Sequence, residues 1–244
     1  MRTNELGQPI GEPVPGWTPR PRPDAEVLKG RYCRLERLDP DRHASELYAA
    51  DRLDTRGESW TYLAYGPFGT LDEYRAWAEP AAAGTDPLFY TVISTDPNER
   101  PGPVGVLSLL RIEPAMGVIE VGHVHYSPLL QRRRAATEAQ FLLASYVFDE
   151  LGYRRYEWKC DALNAPSRAA AQRLGYSFEG IFRQAVVVKG RNRDTAWYSM
   201  IDDEWPRLRE RFARWLHPDN FDADGRQLSP LGAADPAPER HGDG

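Results

Sequence analysis

The stretch from Glu120 to Glu138, EVGHVHYSPLLQRRRAATE, concentrates the residues of this 244-residue chain that could do chemistry. One carboxylate, one glycine and two histidines sit in an alternating apolar run from Val118 to Tyr126. Ser127-Pro128 breaks that run, and Gln131, Arg132, Arg133, Arg134, Ala135, Ala136 and Thr137 lead into a strongly helical segment. The order is strand, loop, helix. The first N–H groups of a helix have no intrahelical partner and lie at the positive end of its dipole. With the arginines added, this segment predicts a cradle for a pyrophosphate. The competing reading of Arg132 to Arg134 is a solvated basic face, since arginine runs are common on surfaces. A nucleic-acid partner is disfavoured, because 31 Lys+Arg against 36 Asp+Glu give a formal charge of −5 and no global attraction to phosphate.

Other elements must position this stretch. Gly30 to Leu38 has strand-like spacing. Asp39-Pro40-Asp41 opens a helix through about Ala50, and Thr70 with Glu73 forms a capping box for a helix over Leu71 to Ala83 that Pro80 ends or kinks. Between them, Trp60, Tyr62, Tyr65 and Phe68 lie in a Gly/Pro-bearing loop. Aromatics with polar tips there either line a substrate pocket or pack beneath the loop as core, and the sequence leaves both open. Leu88 to Ser94 and Gly105 to Glu113 read as a hairpin, with Val118 to Tyr126 as a third antiparallel strand. Ala135 to Leu151 is the strongest helix, stopped by Gly152. A strand follows over Arg154 to Asp161, then a helix capped by Asn164 and ended by Gly175. Strands Tyr176 to Lys189 and Asp194 to Ile201 pair around Gly190, and the last helix spans Asp203 to Leu216.

Composition favours a domain over residues 25–217 with a Pro-rich arm, 1–24, before it and a disordered tail, 218–244, after it. No apolar run approaches the ~20 residues that cross a bilayer, and the N-terminus lacks the apolar core of a secretory signal. Cys33 and Cys160 make no disulfide framework, so a cytoplasmic location is expected and no membrane partner.

The runs EVGHVHYSPLLQRRRAATEA, ELGYRRYEWKCDALNAPSRAAAQRLGYSFEGIFRQ and KGRNRDTAWYSM together resemble the GCN5-related N-acetyltransferase superfamily, in particular its ribosomal-protein-alanine branch. The resemblance covers roughly Gly30 to Trp205. It implies an α/β fold, a mixed but mostly antiparallel sheet of six or seven strands flanked by helices, with a V-shaped splay between the fourth and fifth. It also implies that the chain moves an acetyl group from acetyl-CoA to a primary amine, on a peptide or a small molecule, by direct attack in a ternary complex. A catalytically inactive acyl-CoA-binding regulator and an interaction protein using the Pro-rich arm are the alternatives, and a homodimer is one open option.

The resemblance assigns Val121, Gly122, His123 and Val124 to the strand edge beside the pantetheine arm, and residues 131–137 to the pyrophosphate. Arg134 stands where glycine is usual, which would be strained at positive φ and would add charge at negative φ. Asn164 is matched to a pantetheine contact and Ser167 to a hydroxyl near the thioester sulfur; read plainly, they are a cap and a first-turn residue. Glu120 is the expected base, its pKa raised by partial burial, with His123 and His125 as competitors. Gly122 is expected to mark a bulge. A metal is not expected, for the two histidines lack a third ligand.

Overall fold

The computed structural model describes residues 2–232. Its main sheet has eight strands in the order β3-β4-β5-β6-β7-β8-β10-β9. These are β3 (Val27–Lys29), β4 (Cys33–Arg37), β5 (Leu88–Ser94), β6 (Gly102–Glu113), β7 (Val118–Tyr126), β8 (Arg155–Asp161), β9 (Ser177–Val188) and β10 (Arg191–Ile201), with a small hairpin of β1 (Arg2–Thr3) and β2 (Pro9–Ile10) ahead of them. Every pairing is antiparallel except β7 with β8. The sheet exceeds the expected six or seven strands because the short β3 pairs with β4 at its edge.

Five α-helices flank the sheet: α1 (Pro40–Asp51), α2 (Leu71–Ala83), α3 (Arg134–Ser145), α4 (Ala165–Leu174) and α5 (Trp205–Trp215). Asp39 and Thr70 cap α1 and α2 through their side chains, as their residue types dictate. Pro80 lies inside α2 without ending it. The helix expected through Leu151 changes to a π-helical turn at Tyr146–Glu150 before Gly152 takes a left-handed φ of 68°. Ala135, Ala139 and Leu143 bury one face of α3 against the sheet, and Leu208, Phe212 and Trp215 of α5 join the same core. On the other sheet face, Leu47 and Tyr74 pack with Phe89 and Val106.

Both ends of the described chain are more ordered than composition predicts. The arm docks from Trp17 onward: its indole donates to Ala115 O at 2.9 Å, and Tyr146 Oη accepts from Asp24 N at 2.8 Å and Ala25 N at 3.0 Å. Of the expected tail, residues 218–232 fold back. Phe221 packs edge-on to Tyr32 and Trp215, and Leu231 is buried, because apolar side chains in an otherwise polar segment find a place on the core. The rest of that tail lies outside the described residues.

One buried carboxyl locks elements together, and a second lies against β7 without a hydrogen bond. Glu138 of α3 accepts from the backbone N–H groups of Arg31, Tyr32 and Cys33 at 2.8, 2.6 and 2.8 Å, tying the helix to the turn before β4. Charge-assisted bonds of this kind are worth about 1.5–3 kcal/mol each. Asp51 ends α1 beside His125 of β7, with Nδ1 and Oδ1 3.4 Å apart but not aligned for a hydrogen bond. Burial pushes the Asp51 carboxyl up to about 8 and the His125 imidazole down to about 4.

Two outcomes follow. Glu138→Gln should lower unfolding stability by about 2 kcal/mol or more in denaturant titration, since an amide N–H₂ would face three donors; an unchanged midpoint would contradict the anchor. Asp51 is held neutral in the fold, so the folded state binds a proton that the unfolded chain releases near the ordinary value of 3.8. Stability should therefore fall as pH rises from about 3.8 to about 8 and level off above, and Asp51→Asn should remove that slope. Parallel stability curves for the two proteins would refute the assignment.

Candidate active site

The parallel pairing of β7 with β8 runs from Val118↔Arg155 to Val121↔Trp158 and stops. Beyond it, β7 stays on β6 through His125 and Tyr126, while β8 stays on β10 through Cys160 and Asp161. The two strands part into a V. Its cause is visible in the β6–β7 register: Ser108 faces Gly122 and Val106 faces His125, so Leu107 alone opposes both His123 and Val124. The bulge falls one residue later than expected, on His123 at φ 50°, a left-handed conformation uncommon for a residue with a side chain. Gly122 has a different duty: a Cβ there would lie 2.9 Å from Leu110 Cδ2 and 3.6 Å from Glu120 Oε1, so glycine keeps the vertex of the V open beside the carboxylate.

The V opens into a cavity of about 460 Å³. It gathers Glu120, Val121, Gly122, His123, Val124, Asn164, Ser167 and Tyr62 from the residues singled out in the sequence. Trp60 and Tyr65 are elsewhere. Trp60 is buried and stacks on His125 at 3.6 Å, and Tyr65 stacks between Trp77 and His123, so these two aromatics pack beneath the loop rather than line the cavity. The loop itself crosses the cavity and is fastened to the β9–β10 hairpin: Lys189 Nζ donates to Trp60 O at 3.0 Å and Gly66 O at 2.7 Å, and Arg191 donates to Thr61 O at 3.0 Å.

Glu120 is buried, and its Oε2 receives Lys159 Nζ at 2.9 Å and Arg111 Nε at 3.2 Å. Lys159 is also 2.7 Å from Glu157 and lies 3.8 Å from the Trp197 ring centroid. Desolvation raises the Glu120 pKa, with Lys159 and Arg111 opposing it. The other oxygen, Oε1, is the one next to Gly122 at the vertex. His123 Nδ1 shares a proton with Tyr65 Oη at 3.2 Å, and burial together with the Arg193 charge lowers its pKa. His125 is buried and bonds Ser59 Oγ at 3.0 Å.

The Asn164 side chain caps α4, accepting from Ser167 N at 3.1 Å, and Ser167 Oγ accepts from Trp158 Nε1 at 3.0 Å. Both residues line the cavity all the same. Cys160 lines it too, its thiol kept protonated by burial, which raises its pKa.

At the start of α3 the sequence expectation needs correcting. Arg134 is the first helical residue, and its guanidinium turns away to Asp96, with Nη2 2.6 Å from Oδ1, and stacks over Tyr32 at 4.1 Å. Its charge is therefore not free for an anion. Positive φ falls on Arg132 instead, at 62°. Gln131, Arg132 and Arg133 are exposed, Gln131 Nε2 donates to Tyr126 O at 2.7 Å, and Arg133 lies 3.6 Å from Glu99. Thr137 is buried and accepts from Arg173 at 3.1 Å. What the segment offers an anion is the first-turn N–H groups of Arg134 and Ala135 and the side chain of Arg132.

Sequence reasoning missed Ser59, Arg111, Lys159, Arg193 and Trp197, which also line the cavity. The available signal was a lysine inside the apolar run YEWKCD and the alternation of Arg193, Thr195 and Trp197 along one strand face.

Comparison with known proteins agrees with this geometry. Residues 33–177 match the family model described as an acetyltransferase (GNAT) domain. The putative ribosomal N-acetyltransferase YdaF of Bacillus subtilis is 29% identical over 101 residues, which are 41% of this chain and 55% of that protein. The chain thus spans about half the length of the curated relatives it matches. Among solved structures, a GCN5-related N-acetyltransferase from Brucella melitensis is 50% identical with a TM-score of 0.86, covering 89% of this chain and 97% of that one. A probable acetyltransferase of the GNAT family from Chromobacterium violaceum is 41% identical with a TM-score of 0.74, covering 81% and 97%. With the parted strands, the loop-to-helix start and the family match over residues 33–177 all in agreement, this chain belongs to the GNAT acetyltransferase family.

Proposed function

We propose that the protein is an N-acetyltransferase that transfers an acetyl group from acetyl-CoA to a primary amine, on a peptide N-terminus or a small molecule, by direct attack in a ternary complex. The observation that carries this reading is the position of Glu120: a buried carboxylate whose cation-free oxygen sits at the vertex of the opened strands, beside the one residue there without a side chain.

Fit to acetyl-CoA rests on three features of this chain. The V exposes the edge of β7 beyond Val121, the first turn of α3 presents uncompensated N–H groups, and Gly122 leaves room where a side chain would collide. When bound, the thioester supplies an electrophilic acetyl group and a thiolate leaving group. The protein's residues do the rest. The developing oxyanion would be held by a backbone N–H of β7, within Val121 to Val124, on the side facing the opening. Ser167 is proposed to protonate the departing sulfur; its Oγ accepts a hydrogen bond from Trp158 Nε1.

An amine enters protonated at neutral pH and must lose a proton before attack. Glu120 Oε1 is proposed to take it. A raised carboxyl pKa makes Glu120 a better acceptor than an exposed glutamate, and Lys159 with Arg111 keep it ionised once desolvated. A second reading has one observation in its favour. His123 also lines the cavity, and its depressed pKa leaves the imidazole neutral at pH 7, able to accept a proton at Nε2.

The experiment is thiol release from acetyl-CoA over an amine panel, run as a pH profile. Base catalysis predicts activity that rises with pH through the raised carboxyl pKa, and Glu120→Gln should lower kcat about 100-fold or more and erase that limb. Full activity in Glu120→Gln, with loss in His123→Gln, would transfer the role to the imidazole. Ser167→Ala should lower kcat without raising KM for the amine; an unchanged kcat would leave Ser167 as a helix residue alone.

A further inference from the structure

The cations that line the cavity are not equally partnered. Three of them, Arg111, Lys159 and Arg193, face it, with two carboxylates, Glu120 and Asp161. Arg111 and Lys159 are held by Glu120, and Lys159 by Glu157 as well. Asp161 Oδ1 accepts from Leu163 N at 2.9 Å. Arg193 is different: its Nε donates to Thr195 Oγ1 at 3.2 Å, and no carboxylate pairs with it among the described residues. Its charge acts inside the site: it adds to the burial that lowers the His123 pKa and works against the burial that raises that of Cys160.

Its place along β10 says what it is for. Arg193, Thr195 and Trp197 alternate on the strand face that forms one wall of the cavity. Trp197 is register-paired with Lys159, at the level of the Glu120 cluster, and Thr195 with Asp161. Arg193 is one step further toward the mouth, four residues from Trp197 and so roughly 13 Å along the strand at ~3.3 Å per residue. Phe182, with its ring 4.5 Å from Trp197, makes the wall between the two ends apolar. The site therefore has a carboxylate at the vertex, an apolar stretch, and toward the mouth a guanidinium that no carboxylate contacts among the described residues.

Resting on the N-acetyltransferase reading, we infer that the acceptor is an amine that also carries a carboxylate, and that Arg193 binds that carboxylate while the amine reaches Glu120. A guanidinium offers a planar pair of donors that matches a carboxylate, and in a half-enclosed site the pair is strengthened relative to open water. The apolar wall and the length of strand between the two ends set the separation at several bonds. An acceptor without the anion forfeits this contact and leaves Arg193 uncompensated.

The test compares ω-amino acids of two to six carbons with n-alkylamines of the same length as acceptors, with kcat/KM measured for the wild type and for Arg193→Gln. The expected result is a preference of ten-fold or more for the carboxylated acceptor at the best length, falling to about one in Arg193→Gln, with KM for acetyl-CoA unchanged. Arg193→Lys should recover part of the preference. No preference in the wild type, or equal losses for both acceptor types, would overturn the inference. A second arm needs no turnover: N-acetyl-ω-amino acids and N-alkylacetamides are titrated by calorimetry in the presence of CoA. Tighter binding of the carboxylated probes that vanishes in Arg193→Gln supports the anion site; equal binding refutes it. Acetyl-CoA binding is measured alongside. Its absence would bring down the N-acetyltransferase reading itself, while the carboxylate result still stands or falls on the second arm.

Discussion

One constraint governs the site: the parallel ladder between β7 and β8 has four rungs, from Val118↔Arg155 to Val121↔Trp158, and then cannot continue. Each strand is held by its outer neighbour, β7 by β6 and β8 by β10, so neither can follow the other. An unpaired backbone edge inside a protein demands a partner. In the proposed function a bound cosubstrate supplies it, and the strand backbone itself becomes the binding surface. The bulge at His123 and the absent side chain at Gly122 keep that edge accessible.

The electrostatics of the vertex follow from its burial. Taking Glu120, Glu157 and Lys159 out of water costs several kcal/mol per ion before any attraction is counted, and such clusters are weak evidence for stability. Their arrangement has a clearer consequence for position. Lys159 is held between two carboxylates at 2.9 and 2.7 Å, so Glu120 has one fixed oxygen and one that faces Gly122. The same low-polarity surroundings act on Asp51 at the end of α1 and His125 farther along β7, pushing the carboxyl up to about 8 and the imidazole down to about 4, so that burial favours the uncharged form of each.

Much of this was legible in the sequence where local chemistry decides. Caps at Asp39, Thr70 and Asn164, the break at Ser127-Pro128 and a helix expected from Ala135, which begins at Arg134, are short-range features, and the structure has them. Long-range choices were not legible. Arg134 looked like an anion ligand until Asp96, 38 positions earlier, took its guanidinium. Trp60 and Tyr65 have the amphipathic character of pocket residues, yet β7 histidines offered them a stacking surface inside. Arg193 and Lys159 gave little signal because a charge on a strand reads as a solvated face until the opposite wall is known. The order of the last two strands, with β10 between β8 and β9, was equally hidden, and it is what puts Arg193 on the cavity.

In the proposed function the parted strands hold the pantetheine arm of acetyl-CoA. The most direct measurement is a calorimetric comparison of acetyl-CoA with adenosine 3′,5′-bisphosphate, a probe that lacks the arm. Saturable one-site binding of acetyl-CoA, at least ten-fold tighter than the bisphosphate, is the expected result. Equal affinity for the two, or no saturable binding of acetyl-CoA to the folded protein, would contradict it.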